Sequence, residues 1–389
     1  MRRRIFALLT VMAAVLSACG DTGNVGSGTT DTQEKVEGPA GSPCGKGAAA
    51  NPSPSGIARP EGGATSLSGA GATFPAPLYS AWAAEYKKAA NVEVAYQPIG
   101  SGGGVKQISE QTVDFGASDA PMKDAELAAA KGGPILHVPT VFGAVVVTYN
   151  VAGQATGLVF TGEVLGKVFA GKVTKWNDPA LVELNPDAKL PDLAIAVVHR
   201  SDGSGTTDIW TDYLTKSSPT WVQALGGAER SRGKEVAWPV GIGGKGNEGV
   251  SGAVGQTSGA IGYVELTYAL QQKLAFGDVK NRAGTVVRPC IETVTEAAKG
   301  VQFPDDLRFG LTDSDGKDAY PIAGATWLLV YENQTDAAKA KALVGYLAWV
   351  MDEGEKSAAQ LNYSPLPPEL RTKAIAQIRK IKLNGQPVV

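Results

Sequence analysis

The chain has 389 residues, 43% of them hydrophobic, with 36 basic against 38 acidic residues and a net charge of −2. That is enough chain for two core-bearing lobes, and too little positive charge for a nucleic-acid binder. Two histidines and three cysteines stand scattered along it, so no metal-ligand cluster and no cofactor is expected.

Arg2, Arg3 and Arg4 precede an apolar run from Ile5 to Leu16, followed by Ser17, Ala18 and Cys19. A basic end and a short apolar stretch make residues 1–18 a signal peptide, too short to span a bilayer. Leu16-Ser17-Ala18-Cys19 resembles a bacterial lipobox, which implies cleavage before Cys19 and diacylglycerol on its sulfur. Loss of residues 1–18 removes three arginines and no acid, taking the net charge from −2 to −5. Any anion held by such a chain must be held by local geometry. Cys44 and Cys290 remain, an even pair in an oxidising compartment, and either a disulfide or two free thiols fits. Residues 19–65 are rich in Gly, Ser, Thr, Pro and Ala and read as a flexible tether holding the body clear of a membrane surface.

Order is expected to begin at Leu67–Phe74. Pro75 and Pro77 then open an amphipathic helix from Leu78 to Ala89, with Leu78, Trp82, Ala83 and Tyr86 on one face. Val92–Tyr96 alternates like a strand. Gly100–Gly104 leads into a helix through Val105 and Ile108, and Val113–Asp119 is a short strand with a polar end. This alternation predicts an α/β fold with a mostly parallel sheet.

Two long apolar strands stand out, Ile135–Tyr149 and Tyr320–Tyr331. Between them lies a second α/β stretch, with a helix at Thr161–Ala170 and strands at Leu193–Arg200 and Gly259–Val264. Helical segments follow near 335–351, 353–361 and 368–380. The pattern predicts a first lobe from residues 66–139 and 320–389, a second from 140–319, and a hinge of two crossover strands. One continuous sheet in a single lobe is the alternative.

The densest chemistry lies in Arg200-Ser201-Asp202-Gly203-Ser204-Gly205-Thr206-Thr207. A strand turning through glycines into a helix aims several backbone N–H groups at one small volume, and the helix dipole favours an anion there. Arg200 adds a planar fork for two oxygens, and Asp202 is placed to pin that guanidinium. Ala72-Thr73-Phe74 before Pro75 and Ser101-Gly102 before Val105 are two further loop-to-helix entries. In open α/β sheets such entries converge off the carboxyl ends of the strands. Asp119 is a carboxylate among donors, and when ionised it only accepts. A protonated phosphate can donate to it, whereas sulfate cannot.

Leu67–Pro77, Ile99–Ile108, Val113–Pro121 and Arg200–Thr206 together resemble the phosphate-binding protein of bacterial phosphate ABC importers. Lys175–Asp178, Gly243–Asn247 and Gly259–Tyr263 match it too, so the likeness runs from Leu67 to the carboxyl end. The resemblance implies a two-lobed, class II periplasmic-binding fold that closes on inorganic phosphate. By motif, Thr73, Phe74 (through its backbone), Ser101, Asp119, Arg200, Ser204, Gly205 and Thr206 are then ligand contacts, with Asp202 supporting Arg200. It also implies a monomeric receptor, lipid-anchored on the extracytoplasmic face of the cell membrane. The permease and ATPase subunits of an importer would be its partners.

Four rival readings are weighed against it. A phosphatase or phosphotransferase would use Ser101 or Ser204 as nucleophile and needs a base in reach. His199 points to the opposite strand face from Arg200, and His137 sits in an apolar run, which leaves Asp119 as the candidate base. A receptor for another tetrahedral oxyanion keeps the fold and changes the ligand. Gly241–Gly246 also fits a dinucleotide-binding glycine pattern, but Pro239 interrupts the strand before it. Gly166–Lys172 fits most of a phosphate-binding loop, yet Val173 stands where Mg²⁺ needs a hydroxyl.

Overall fold

The computed structural model describes residues 35–38, 42–45 and 53–389. The signal peptide, Cys19 and much of the tether expected above lie outside the described residues. Among those described, no helix is long and apolar enough to cross a membrane.

The first lobe opens with β1 (Ser66–Gly71), α1 (Ala76–Ala90), β2 (Glu93–Pro98), α2 (Ser101–Ser109), β3 (Phe115–Ser118) and α3 (Asp124–Ala128). Pro75 and Pro77 flank the start of α1, where a missing N–H costs nothing, and Asn91 ends it in the left-handed conformation. Leu78, Tyr79, Trp82 and Tyr86 form its buried face. The Trp82 indole N–H finds the Gly354 carbonyl at 2.8 Å, so the ring is buried without an unpaired donor.

β4 (Ile135–Asn150) leaves this lobe and is buried along nearly its whole length. The second lobe is built on β5 (Val159–Phe160), α4 (Gly162–Phe169), α5 (Pro179–Val182), β6 (Ala196–Arg200), α6 (Gly205–Ser217) and α7 (Pro219–Leu225). It continues through β7 (Ile242–Gly244), α8 (Gly246–Gln256), β8 (Ala260–Glu265), α9 (Leu266–Gln271), β9 (Ala275–Phe276), β10 (Asp278–Lys280), β11 (Val286–Val287) and α10 (Ile291–Ala297). β12 (Ala323–Tyr331) returns to the first lobe, followed by α11 (Ala337–Trp349), α12 (Glu355–Ala358) and α13 (Pro368–Ile378). The single helix expected near 353–361 is broken. A π turn at Val350–Gly354, the short α12 and a 3-10 turn divide it.

The main sheet has the order β2-β1-β3-β12-β4-β8-β6-β7, with β9 also on β4. β4 is the crossover: Ile135–Ala144 pair antiparallel with β12, and Val145–Asn150 pair antiparallel with β8. The outer pairs β1–β2, β1–β3, β6–β7 and β6–β8 are parallel, but β4 and β12 run antiparallel to their neighbours, so the sheet is mixed and not mostly parallel as the helix–strand alternation predicts. The second connection lies beside the first. Val145 N–H donates to the Ile322 carbonyl at 2.9 Å, and the Tyr320 hydroxyl donates to the Val145 carbonyl at 2.9 Å. Both chain crossings therefore meet at one point, which is where a hinge belongs.

The tether does not run free to residue 65. Ser55 donates to both Asp352 oxygens, Ile57 is buried, and Ala64 N–H donates to the Ala338 carbonyl. Val36 is buried too, Arg288 donates to the Glu37 carbonyl, and Cys44 is joined to Cys290 by a disulfide. Composition alone hid this, because the partners stand hundreds of positions away in sequence.

Candidate functional site

Four helices aim their N-termini at one cleft between the lobes: α1, α2, α6 and α8. In each, the first N–H groups lack partners inside the helix, and the dipoles add to a positive potential. Glycine makes the approach possible. Gly100 has φ 88°, and a Cβ on Gly205 would lie 2.6 Å from both the Asp119 Cβ and the Ser101 Oγ.

Hydrogen bonds between the lobes tie the rim together. Gly102 N–H donates to the Gly203 carbonyl at 2.9 Å, and Gly205 N–H to Ser101 Oγ at 3.0 Å. The Tyr268 hydroxyl donates to the Thr73 carbonyl at 2.6 Å, while inside the first lobe the Tyr363 hydroxyl holds the Phe74 carbonyl at 2.7 Å. Asn247 Nδ2 reaches Thr73 Oγ1 at 2.8 Å and Thr206 Oγ1 at 3.1 Å. Lys234 and Glu126 close the outer rim as an ion pair at 2.6 Å.

Arg200 ends β6 and is 3% exposed. Its Nε donates to Asp202 Oδ1 at 2.8 Å and its Nη2 to Asp202 Oδ2 at 2.6 Å. Among the described residues, Nη1 is buried without a hydrogen-bond partner. A buried guanidinium N–H left unpaired is costly, so an acceptor of negative charge belongs at that end of the fork. Burial alone would raise the Asp202 carboxyl, but the hydrogen bonds and charge of Arg200, with the Gly246 N–H, bring it below the ordinary range.

Asp119 follows β3 and faces Arg200 from the other lobe. Oδ1 accepts from the Thr326 hydroxyl at 2.8 Å and Oδ2 from Ser101 at 3.3 Å. Burial pushes its carboxyl up to about 7, against the opposing pull of the Thr326 hydroxyl, the Arg200 charge and Ser101. Residue type alone would leave it ionised near neutral pH. Near pH 7 both forms are present, so the group either accepts or donates.

All eight residues expected as contacts, Thr73, Phe74, Ser101, Asp119, Arg200, Ser204, Gly205 and Thr206, stand at this cleft, and Asp202 stands behind Arg200. Ser204 caps α6, its Oγ accepting from Thr207 N–H at 3.0 Å. That use of the hydroxyl, and the His199 ring stacked on Trp238 at 4.8 Å, give Ser204 no histidine base. His137 Nε2 accepts from Met122 N–H in the core. Gly166 and Lys167 lie inside α4, and Glu265 is fully buried beneath Tyr363 and Thr267. Gly166–Lys172 therefore forms no phosphate loop, and Glu265 is not offered to a ribose beside Gly241–Gly246.

Sequence reasoning missed Asn247, Thr326, Tyr263 and Tyr268. Tyr263 holds the Arg200 backbone N–H at 3.1 Å and the Thr207 hydroxyl at 2.7 Å. Asn247 carried a readable signal, since Gly243–Gly246 leading into a helix is a fourth entry of the same kind. Tyr263 closed a matching segment without a role read for it, and Tyr268 carried no signal, being reached through the tertiary fold.

A PBP superfamily domain matches residues 56–353. Phosphate-binding protein PstS of Pasteurella multocida is 44% identical over 317 residues, covering 81% of this chain and 90% of that protein. Phosphate-binding protein PstS3 of Mycobacterium bovis is 31% identical over 388 residues, covering 96% of this chain and 97% of that one. The crystal structure of a phosphate ABC transporter substrate-binding protein from Clostridium perfringens, with bound phosphate, superposes with a TM-score of 0.56 at 19% identity. That match covers 78% of this chain and all of that one, and it supports the fold.

Proposed function

The chain belongs to the PBP superfamily and, within it, to the phosphate-binding proteins, and from that premise we propose that it captures inorganic phosphate for an ABC importer. The observation that carries this reading is Arg200 Nη1, a buried cationic donor with no partner among the described residues, set among helix N-termini. A tetrahedral oxyanion supplies acceptors for all of these donors at once.

Capture proceeds by closure. Thr73, Phe74, Ser101 and Asp119 come from one lobe, and Arg200, Ser204, Gly205 and Thr206 from the other. Phosphate stabilises the closed form because the two donor sets reach it together in that form alone. The Gly205 N–H and the Ser101 hydroxyl, which now bond each other, turn to the ligand oxygens. Asp119 takes the hydrogen bond of a protonated phosphate oxygen. The receptor acts as a monomer, anchored through lipid on Cys19 at the extracytoplasmic face, and hands phosphate to the permease and ATPase subunits.

Calorimetry of the purified chain with phosphate and with sulfate tests the reading. One phosphate per chain, without hydrolysis of a phosphomonoester, is the expected result. Absence of phosphate binding, or tighter binding of sulfate, overturns it.

A further inference from the structure

The amide of Asn247 joins the two sides of the site, and its orientation is fixed by proton counting. The Glu265 backbone N–H lies 2.9 Å from Oδ1, and an N–H can donate but not accept. The amide oxygen therefore faces Glu265, and Nδ2 faces Thr73 and Thr206. An amide NH2 also donates and cannot accept, so both threonine hydroxyls must act as acceptors toward it. Thr73 Oγ1 accepts a second time, from the Asn247 backbone N–H at 3.2 Å.

A hydroxyl has one proton and two lone pairs. Both lone pairs of Thr73 Oγ1 are engaged, so its proton points away from Asn247. The Thr206 proton is likewise turned off the amide. Asn247 and Thr206 are fully buried and Thr73 is 6% exposed, so bulk water does not readily reorient these groups.

We infer that Asn247 is a positioning residue that locks the Thr73 and Thr206 hydroxyls as donors to the bound anion without touching it. This rests on the phosphate reading and deepens it. A ligand oxygen that meets Thr73 must then be unprotonated, because both lone pairs of that hydroxyl are already engaged and a P–OH finds no acceptor there. The ligand proton is thereby directed to Asp119, so Asn247 helps set which protonation pattern the cleft accepts.

A double-mutant cycle on the full chain tests this, reading phosphate Kd by calorimetry and thermal midpoint in parallel. Asn247→Ala is expected to weaken phosphate binding roughly 10- to 100-fold in the parent. In the Thr73→Val background, and again in the Thr206→Val background, that penalty should shrink severalfold, since a hydroxyl to be oriented is gone. Thr73→Ser, which restores a hydroxyl, should restore the full penalty. Should Asn247→Ala fail to fold, the isosteric Asn247→Asp takes its place in the same cycle, with the same shrinkage expected. Equal penalties in all backgrounds, with any fall in midpoint tracking them, would mean Asn247 merely supports the fold, and the inference fails. A parent chain that does not bind phosphate removes both readings, whereas additive penalties in a chain that binds remove this one alone.

Discussion

Asp202 grips Arg200 through two parallel hydrogen bonds, 2.8 Å from Nε and 2.6 Å from Nη2, and so fixes the fork with Nη1 left over, buried and unpartnered among the described residues. The Asp202 side chain is 14% exposed while that of Arg200 is 1% exposed, so the carboxylate sits on the solvent side of the pair. It neutralises and orients the fork without filling the ligand's place. Arg200→Ala should therefore weaken phosphate binding by roughly 2–5 kcal/mol, since it removes one partner of a desolvated charge pair. Arg200→Lys should recover part of this, because a point charge cannot use Asp202 and the ligand in one plane. Calorimetry on both variants decides it. Parent-like affinity in Arg200→Ala would place the anion elsewhere.

The disulfide makes a separate prediction. Cys44 and Cys290 are 246 residues apart, and Cys290 is 2% exposed at the start of α10. Residues 53–64 are fixed on the first lobe through Asp352 and Ala338, and Glu37 and Cys44 on Arg288 and Cys290. Replacing both cysteines by serine should cost roughly 2–4 kcal/mol, chiefly by freeing the unfolded chain. Urea titrations of parent and variant check this. An unchanged midpoint would mean that the segment frays before the body unfolds.

Much of this molecule was legible in its sequence, and the reason is local. Ser204, Gly205 and Thr206 form a helix entry whose chemistry is contained in adjacent residues, and β4 announces itself as a long apolar run. The docking of Ser55 on Asp352 was not legible, because it depends on a partner 297 residues away. The charge state of Asp119 was hidden for a different reason. Residue type gives an ordinary carboxylate, whereas burial between the lobes decides where it titrates.

The address is tested apart from the site. If acyl chains on Cys19 are the anchor, Cys19→Ser should move the protein from the membrane to the soluble fraction in cells lacking the permease. Fractionation followed by immunoblotting reads the outcome. Retention on the membrane would argue against lipid at that residue.

Asp119 also sets a pH dependence of stability. Its carboxyl rises from 3.8 to about 7 in the folded protein, so between those values the folded chain keeps a proton that the unfolded chain has lost. Stability therefore falls as pH rises across that window, and the loss is complete above it, on the order of a few kcal/mol. Asp119→Asn removes this term. The variant should gain on the parent as pH rises from about 4 to about 7, read as the difference of their denaturant midpoints in phosphate-free buffer. Parallel midpoint curves would show that Asp119 titrates as an ordinary carboxyl.

Selectivity against sulfate follows from the same group. Above about pH 7 the Asp119 carboxyl is ionised and accepts. A protonated phosphate oxygen donates to it, a charge-assisted bond worth roughly 1.5–3 kcal/mol. Sulfate has no proton to offer and sets an oxygen against a carboxylate in a dry cleft, a mismatch that rejects it. Below about pH 7 the carboxyl holds its own proton and becomes a donor, which sulfate can accept. The phosphate-to-sulfate affinity ratio of the parent should thus narrow as pH falls through that value. In Asp119→Asn the amide donates at every pH, so its ratio should be low and nearly flat, chiefly because sulfate is admitted. Phosphate affinity should suffer less, since the amide oxygen can still accept. Calorimetry of both ions at several pH values and fixed salt reads all of this. A parent ratio independent of pH, together with an unchanged ratio in Asp119→Asn, would assign discrimination to the backbone donors and Arg200 instead.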